Sequence, residues 1–378
     1  MMASPLKNKA VSVSPKNLEG YLLAKGWVAE GEVFGHQAKI WHRPEQNHYE
    51  YEVIQPKSTE VSGYIQRIVD AINEISSFER RQPDIVLKEL ENFYSDSVRI
   101  RVVHSDVEEG TIPIEDGVLL IEKSRDLLAA TTLSTFSKKA YFTGQRNTEA
   151  QNFIKQLRLG QTEVGSFIVN LIAPIPETIK SQLDQDEMSV TRAVTNNLSR
   201  SLVALEKGMA SYKASESIFE FESIIQSGVS ANLCDALIGL SGFSKSRSFN
   251  ISICRAGAEA DTQELPTTFK FLPEHVPTLE VASAFYKGNY VINEYEVFGL
   301  VSRMTHLPQD DFGEITVRSS VRGIEKNVII QLHMDHYWQA VHAHENSELV
   351  SCKGSLHVTA KSAKLLEPRG FRVISTSA

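Results

Sequence analysis

The segment "KNVIIQLHM" alternates without a break, with Val328, Ile330, Leu332 and Met334 on one side and Asn327, Ile329, Gln331 and His333 on the other. A period of two marks a strand, because successive side chains of an extended chain point to opposite faces. The same signature recurs on either side. "YEVFGLVSRMT" and "GEITVRSSV" come before it, and "ELVSCKGSLHVTA" and "AKLLEPRGFRVIS" come after. In "ELVSCKGSLHVTA", Val350, Cys352, Gly354, Leu356 and Val358 share a face. Between the third and fourth strands lies "DHYWQAVHAHEN", with Tyr337, Ala340, Val341 and His344 on one helical stripe. Each strand has one apolar face to hide, and closing the sheet into a barrel over the helix hides all five at once.

Three strands, a helix and two further strands over residues 286–378 are the order of an OB-fold, which this stretch resembles in pattern. The resemblance implies a five-stranded barrel that binds single-stranded nucleic acid, an oligosaccharide or a protein through its second and third strands. Gly354 suits the tight bend of a small barrel. By strand alternation, Thr316, Arg318, Gln331, His333 and Lys353 would face that ligand.

The rest of the chain reads as two further parts, which makes the whole α+β. Residues 1–16 are polar, carry Pro5 and Pro15, and read as a disordered tail. Residues 17–93 read as a small α-β-β-α module. It opens with a helix in "NLEGYLLAKGW", capped by Asn17 and stopped at Gly26. Two strands follow, "QAKIWHR" and "YEYEVIQP", around a turn in "PEQNH". A long helix then opens at Thr59, with Val61, Tyr64, Ile65, Ile68, Ile72 and Ile75 on one face. Residues 94–285 read as a mixed α/β domain. The strand "SVRIRVVHS", the apolar run "GSFIVNLIAPIP" and the strand "RSFNISICR" are set among long helical patterns.

The stretch "GWVAEGEVFGHQAKIWHRP" holds the sharpest single-residue candidate. Gly26-Trp27, Gly35-His36, the strand "AKIW", Pro56 and the following helix together resemble the HicA-type mRNA interferase toxins. These have a small double-stranded-RNA-binding-like fold, and in that family a histidine after a glycine-containing turn carries the ribonuclease activity. The resemblance implies that His36 is catalytic. An imidazole suits general-base work on a ribose hydroxyl at neutral pH. Lys39, His42 and Arg43 are candidate helpers and phosphate contacts. The plainer reading of the same residues is a strand-edge histidine flanked by solvated cations.

A second basic spot lies in "SKKAYFTGQR". Lys138, Lys139 and Arg146 would hold a phosphate backbone, with Tyr141 and Phe142 stacking a base; a solvated loop is the plainer alternative. The run "HMDHYWQAVHAHE" offers several imidazoles, but its spacing does not suit a metal. His336 and His344 lie about 12 Å apart along a helix at 1.5 Å per residue. No pair has the i, i+4 arrangement of H-E-x-x-H. His333 and His336, at a strand–helix junction, are the residual pair. No metal and no cofactor is expected.

Composition sets outer limits. The chain has 378 residues and a net charge of −8, so it does not coat nucleic acid by bulk electrostatics, although a local basic surface remains open. Three cysteines, far apart, form neither a disulfide framework nor a zinc knuckle, and suit a reducing cytoplasm. No apolar run is long enough to span a bilayer. Neither a phosphate-binding P-loop nor a G-x-S-x-G elbow is present.

The composite points to a non-enzymatic subunit that binds nucleic acid (RNA or single-stranded DNA) or a partner protein. It resembles the accessory proteins of bacterial defence or toxin-linked loci. Two alternatives stand beside it: a ribonuclease using His36, and a scaffold in which both terminal modules bind protein.

Overall fold

A computed structural model describes residues 5–43, 51–104, 111–144, 147–160, 167–175, 188–259, 265–307, 309–321 and 323–374. Its apolar side chains gather chiefly into three buried clusters, drawn from residues 10–93, 98–286 and 297–371. Helices and strands are mixed throughout, so the chain is α+β.

The first cluster begins earlier than its sequence announces. Pro5–Lys9 form α1, and a 3₁₀ turn follows over Ala10–Ser12. Ala10 and Val13 are buried, and the Tyr64 hydroxyl donates to Val13 O. The expected disordered tail is therefore folded from Pro5 onward, because a tyrosine far along the chain holds it down. The next helix, α2 (Pro15–Ala24), is capped by Ser14, whose side chain accepts from Asn17 N at 3.1 Å. Pro15 takes the first helical position, where a missing N–H costs nothing. The cap is thus Ser14 and not Asn17. Gly26, at φ 74°, ends the segment in the left-handed region.

Three strands follow, not two: β1 (Val28–Val33), β2 (Ala38–Arg43) and β3 (Tyr51–Pro56), antiparallel in that order. The expected turn at 44–48 lies outside the described residues. The extra strand, β1, is exposed along almost its whole length and carries a bulge between Ala29 and Gly31. It therefore has no alternating apolar face. Trp41 is buried beneath the sheet, and its indole N–H donates to Gln55 Oε1 at 2.7 Å. Gln55 in turn donates to Pro15 O at 2.9 Å, tying the sheet to α2. Helix α3 (Tyr64–Glu79) opens at Tyr64, five residues after the expected Thr59, behind Gly63 at φ 74°. Ile68, Ile72 and Ile75 form its buried stripe, and α4 (Pro83–Glu91) closes the cluster with Val86, Leu87 and Leu90.

The middle cluster is built on a five-stranded sheet in the order β5–β6–β4–β7–β8. Its strands are β4 (Ser95–Val103), β5 (Arg158–Leu159), β6 (Ile168–Pro174), β7 (Ser248–Cys254) and β8 (Thr268–Phe271). Every pairing is antiparallel, so the parallel crossovers of a doubly wound α/β sheet are absent from the described ladder. Four longer helices pack with it: α5 (Ile114–Phe136), α7 (Val190–Ser215), α9 (Ala231–Leu240) and α10 (Val276–Tyr286). Two short helices, α6 (Thr148–Gln156) and α8 (Glu220–Ser223), join them. In α7, Leu198, Leu202, Leu205 and Met209 recur at helical spacing and are buried. Among the described residues no helix is long and apolar enough to cross a membrane.

The last ninety residues fold as their alternation demands. The strands are β9 (Tyr290–Thr305), β10 (Phe312–Val321), β11 (Ile324–His333), β12 (Leu349–Val358) and β13 (Ala363–Ile374), with α11 (Met334–Glu345) between β11 and β12. Pairing runs β10–β11–β13–β12–β9, and β9 returns to β10, so the ladder closes on itself. Only the β11–β13 pairing is parallel. Val297, Val301, Ile315, Val317, Val328, Ile330, Leu332 and Leu356 fill the inside. Each such side chain contributes roughly 1.5–3 kcal/mol on leaving water. Tyr337, Ala340 and Ala343 of α11 join the same core. Gly299 permits the tight closure: a Cβ there would meet Arg318 O at 2.0 Å.

Candidate functional site

The outer surface of β9, β10 and β11 gathers polar groups in register. Across β10 and β11 the outward rungs are Phe312–His333, Glu314–Gln331, Thr316–Ile329 and Arg318–Asn327. Same-side residues on a strand lie about 7 Å apart, so the four rungs span roughly 20 Å. Thr316 and Ile329 are half-buried, and the other six side chains are exposed. On the neighbouring strand, Leu300 lies beside Arg318 and Arg303 beside Thr316.

Arg303 reaches this face through an irregularity. Val297, Gly299 and Val301 point inward, so strict alternation would send Arg303 inward as well. The β9–β10 register shifts between Thr316 and Val317, which leaves Ser302 as the extra residue and turns Arg303 outward. The Ser302 hydroxyl donates to Thr316 O at 3.1 Å. Phe312 supplies an aromatic surface, 49% exposed, with its ring edge-on to His333 at 5.7 Å.

Of the residues named from sequence, Thr316, Arg318, Gln331 and His333 share this face. Lys353 does not. It lies on β12, on the other side of β9, where its ammonium is 3.6 Å from Glu296. Glu296 also accepts from Ser351 at 2.5 Å and from Arg372 at 2.8 Å. The Ser351 hydrogen bond, and then that of Arg372, holds the Glu296 carboxyl below the usual carboxylate range. Arg303, Asn327 and Phe312 were not singled out from sequence. Asn327 and Phe312 follow from alternation alone, whereas Arg303 depends on the bulge.

The four N-terminal candidates each have different partners. His36 lies in the β1–β2 turn, two residues before β2, at φ 69°. Its ring is 85% exposed, and Nδ1 lies 2.6 Å from Glu32 Oε2. Lys57 donates to the other oxygen of Glu32. The Lys57 hydrogen bond, then that of His36, keeps the Glu32 carboxyl below its ordinary range. Lys39 pairs with Glu19 of α2 at 2.5 Å. Arg43 donates to Gly26 O and stands 5.5 Å from the centre of the Phe78 ring. His42 lies 3.5 Å from Glu30 and 3.8 Å from Glu52. Lys39 and Arg43 are thus occupied in tying β2 to its neighbours.

The second basic spot is divided. Lys138 donates to Asn197 Oδ1 at 2.6 Å, inside a polar seam where Asn197 donates to Thr131 O and Ser134 Oγ. Burial, aided by repulsion from Arg200, pushes the Lys138 ammonium below its ordinary pKa. Lys139 is exposed. Phe142 is buried and cannot stack on a base, whereas Tyr141 is 40% exposed. Arg146 lies outside the described residues. Among the described residues no group of three or more His, Cys, Asp or Glu side chains could hold a metal ion. His333 stands 3.6 Å from Asp335, and His344 Nδ1 lies 2.7 Å from Val301 O.

No protein-family model, no curated protein and no solved structure matches this chain.

Proposed function

We propose that the protein is a non-enzymatic binding subunit in three parts: an N-terminal α/β module, a middle domain and an OB-like barrel over residues 286–378. The barrel takes a single-stranded nucleic acid across β9, β10 and β11. One observation carries this reading: the outward rungs from Arg318–Asn327 to Phe312–His333, with Arg303 beside them. Two guanidinium groups supply phosphate contacts, and Asn327 and Gln331 supply donors and acceptors for base edges. Phe312 offers a stacking surface at one end of the row. Strand order supports the assignment, because the helix between the third and fourth strands and the return of the fourth to the first are those of an OB-fold. The net charge of −8 means that attraction is local to this face.

The test is a salt titration of a labelled single-stranded oligonucleotide against the full chain. For single strands, log Kobs falls with log salt by about 0.7 per neutralised phosphate. Arg318→Ala and Arg303→Ala should each flatten that slope by about 0.7 as well as weaken binding. Failure of every single strand to bind at low salt overturns the reading.

One contact favours a second reading, a ribonuclease using His36. The Glu32 carboxylate on Nδ1 would hold the imidazole in one orientation and leave Nε2 to take a proton from a ribose hydroxyl, as a general base does. RNA cleavage by the wild type that disappears in His36→Ala with an unchanged circular dichroism spectrum would support it. Cleavage that survives His36→Ala would sink it.

A further inference from the structure

Beside the rungs, the barrel wall opens. The parallel β11–β13 ladder has only three pairs, Val328–Ala363, Ile329–Lys364 and Ile330–Leu365. Past Leu365, β13 leaves β11 and stays paired with β12. Glu367 adopts φ 49° and Gly370 φ 62°, and the β12–β13 register breaks on both sides of Lys353. Gly354 makes room for this bulge, since a Cβ there would meet Leu366 O at 2.5 Å. Bulges of this kind re-aim side chains at barrel rims and beside binding sites. A non-glycine residue in the left-handed region also costs energy that the surrounding structure must supply.

The bulge leaves a cleft of about 290 Å³ between β11 and β13. Gln331, His333, His336, Lys364, Arg369 and Phe312 all line it. Leu332, Leu365 and Phe371 belong to the core cluster and close its floor. The walls are β11 on one side, β13 on the other, the first turn of α11 at His336, and Phe312 of β10. The cleft shares Phe312, Gln331 and His333 with the last two rungs of the outer face. A strand lying along those rungs from Arg318 arrives at the cleft mouth.

Resting on the reading of the barrel as a single-strand binder, we infer that this cleft receives the terminal phosphate of the bound strand. The geometry favours an end over an internal link. The outward rungs end at Phe312–His333, which line the cleft, and a terminal phosphate monoester brings one more charged acceptor oxygen to it than an internal phosphodiester does. The chemistry favours phosphate. Lys364, Arg369 and two imidazoles bring donors and positive charge to one place, and a monoester offers them three acceptor oxygens. Arg369 already pairs with Glu294 across the β12 side, so Lys364 is the cation committed least elsewhere. Glu367 is the carboxylate of the lining, and it opposes an anion. Its effect is itself testable.

The experiment compares one oligonucleotide sequence in three forms, 5′-phosphorylated, 3′-phosphorylated and hydroxyl at both ends, by fluorescence anisotropy with the full-length chain. One phosphorylated form should bind about tenfold tighter than the hydroxyl form, the worth of a charge-assisted hydrogen bond or so. Lys364→Gln and, separately, His336→Asn should bring that ratio toward one. Both side chains are exposed, so neither change opens the core. Glu367→Gln should raise the ratio. Inorganic phosphate at millimolar concentration should compete selectively against the phosphorylated form. Equal binding of all three forms, or a ratio unmoved by both Lys364→Gln and His336→Asn, overturns end recognition and leaves strand binding standing. No binding by any form overturns both.

Discussion

On the barrel, Arg318, Asn327, Gln331 and His333 stand outside a core made of valine, isoleucine and leucine. The middle sheet also has an apolar core, but beside it a cluster of polar side chains lies inside. Asp96 and Arg192 are both buried, with Arg192 Nε 3.2 Å from Asp96 Oδ2. Thr195 donates to the same carboxylate at 2.5 Å and Ala256 N at 2.7 Å. Arg192 also donates to Ala256 O at 2.8 Å and to Glu259 O at 3.1 Å. Ser189 caps α7 through Arg192 N and donates to Glu259 Oε2 at 2.6 Å. One buried network thus binds the start of β4, the start of α7 and the loop after β7. The barrel's polar groups are available to a ligand, whereas these are consumed in holding three chain segments together. Polar composition alone therefore does not mark a binding surface; which side of the strand the group occupies decides.

The largest effect that bears on this contrast is Asp96→Ala. It leaves the Arg192 guanidinium buried without its carboxylate and removes the acceptor of Thr195 and Ala256. Breaking a buried pair from one side costs about 3–5 kcal/mol, because the remaining charge stays desolvated. Hydrogen–deuterium exchange resolved by peptide should show faster exchange in β4, β7 and the first turns of α7. Peptides from β10 and β11 should be unchanged. Faster exchange in the barrel as well would show that the two regions are energetically joined, and the contrast between them would then fail.

How much of this was legible in sequence follows the same division. The barrel could be read because one-sided burial imposes a period of two on every strand, and Val328, Ile330 and Leu332 display it. The helix after it could be read from the stripe of Tyr337 and Ala340. Strand β1 could not, because "VAEGEV" is an exposed edge with no side to hide. Helix α1 could not, because the tyrosine hydroxyl that anchors Val13 comes from Tyr64, beyond a whole sheet. The Asp96–Arg192 network joins residues with 96 positions between their numbers, and neither local sequence advertises a partner. Within the candidate site, Arg318, Gln331 and His333 follow from alternation. Arg303 was invisible because a single bulged residue reverses its direction. Lys353 sat on the right side of its strand, but strand order places β12 away from β10 and β11.

A smaller effect sharpens the description of the barrel's interior. Cys352 is buried there, and burial pushes its thiol up to about 11. An acid whose pKa is higher in the folded state keeps its proton while the unfolded chain releases it. Stability is therefore unaffected by this group below about pH 9, and falls as pH rises from about 9 to about 11. Other groups titrate in the same window, so the measurement is a difference. The exchange-derived stability of β12 in Cys352→Ala should decline less between those pH values than in the wild type. Equal slopes would mean that water reaches the thiol and that the barrel interior is not sealed at β12.

The smallest effect concerns the N-terminal sheet, where the sequence offers Lys39 and Arg43 as phosphate contacts. Lys39 is paired with Glu19, and both side chains are about a third exposed, at 31% and 35%. An ion pair so near solvent contributes about 0–1 kcal/mol, so Lys39→Met should shift the unfolding midpoint little. Its value lies in what it separates. If single-strand binding belongs to the barrel face, Lys39→Met leaves both the affinity and the salt slope where they were, while Arg318→Ala changes both. A slope that flattens in Lys39→Met to the degree seen for Arg318→Ala would place a phosphate on β2. The Lys39–Glu19 pair would then be a resting contact that the ligand displaces, and the N-terminal sheet would join the barrel as a second binding surface.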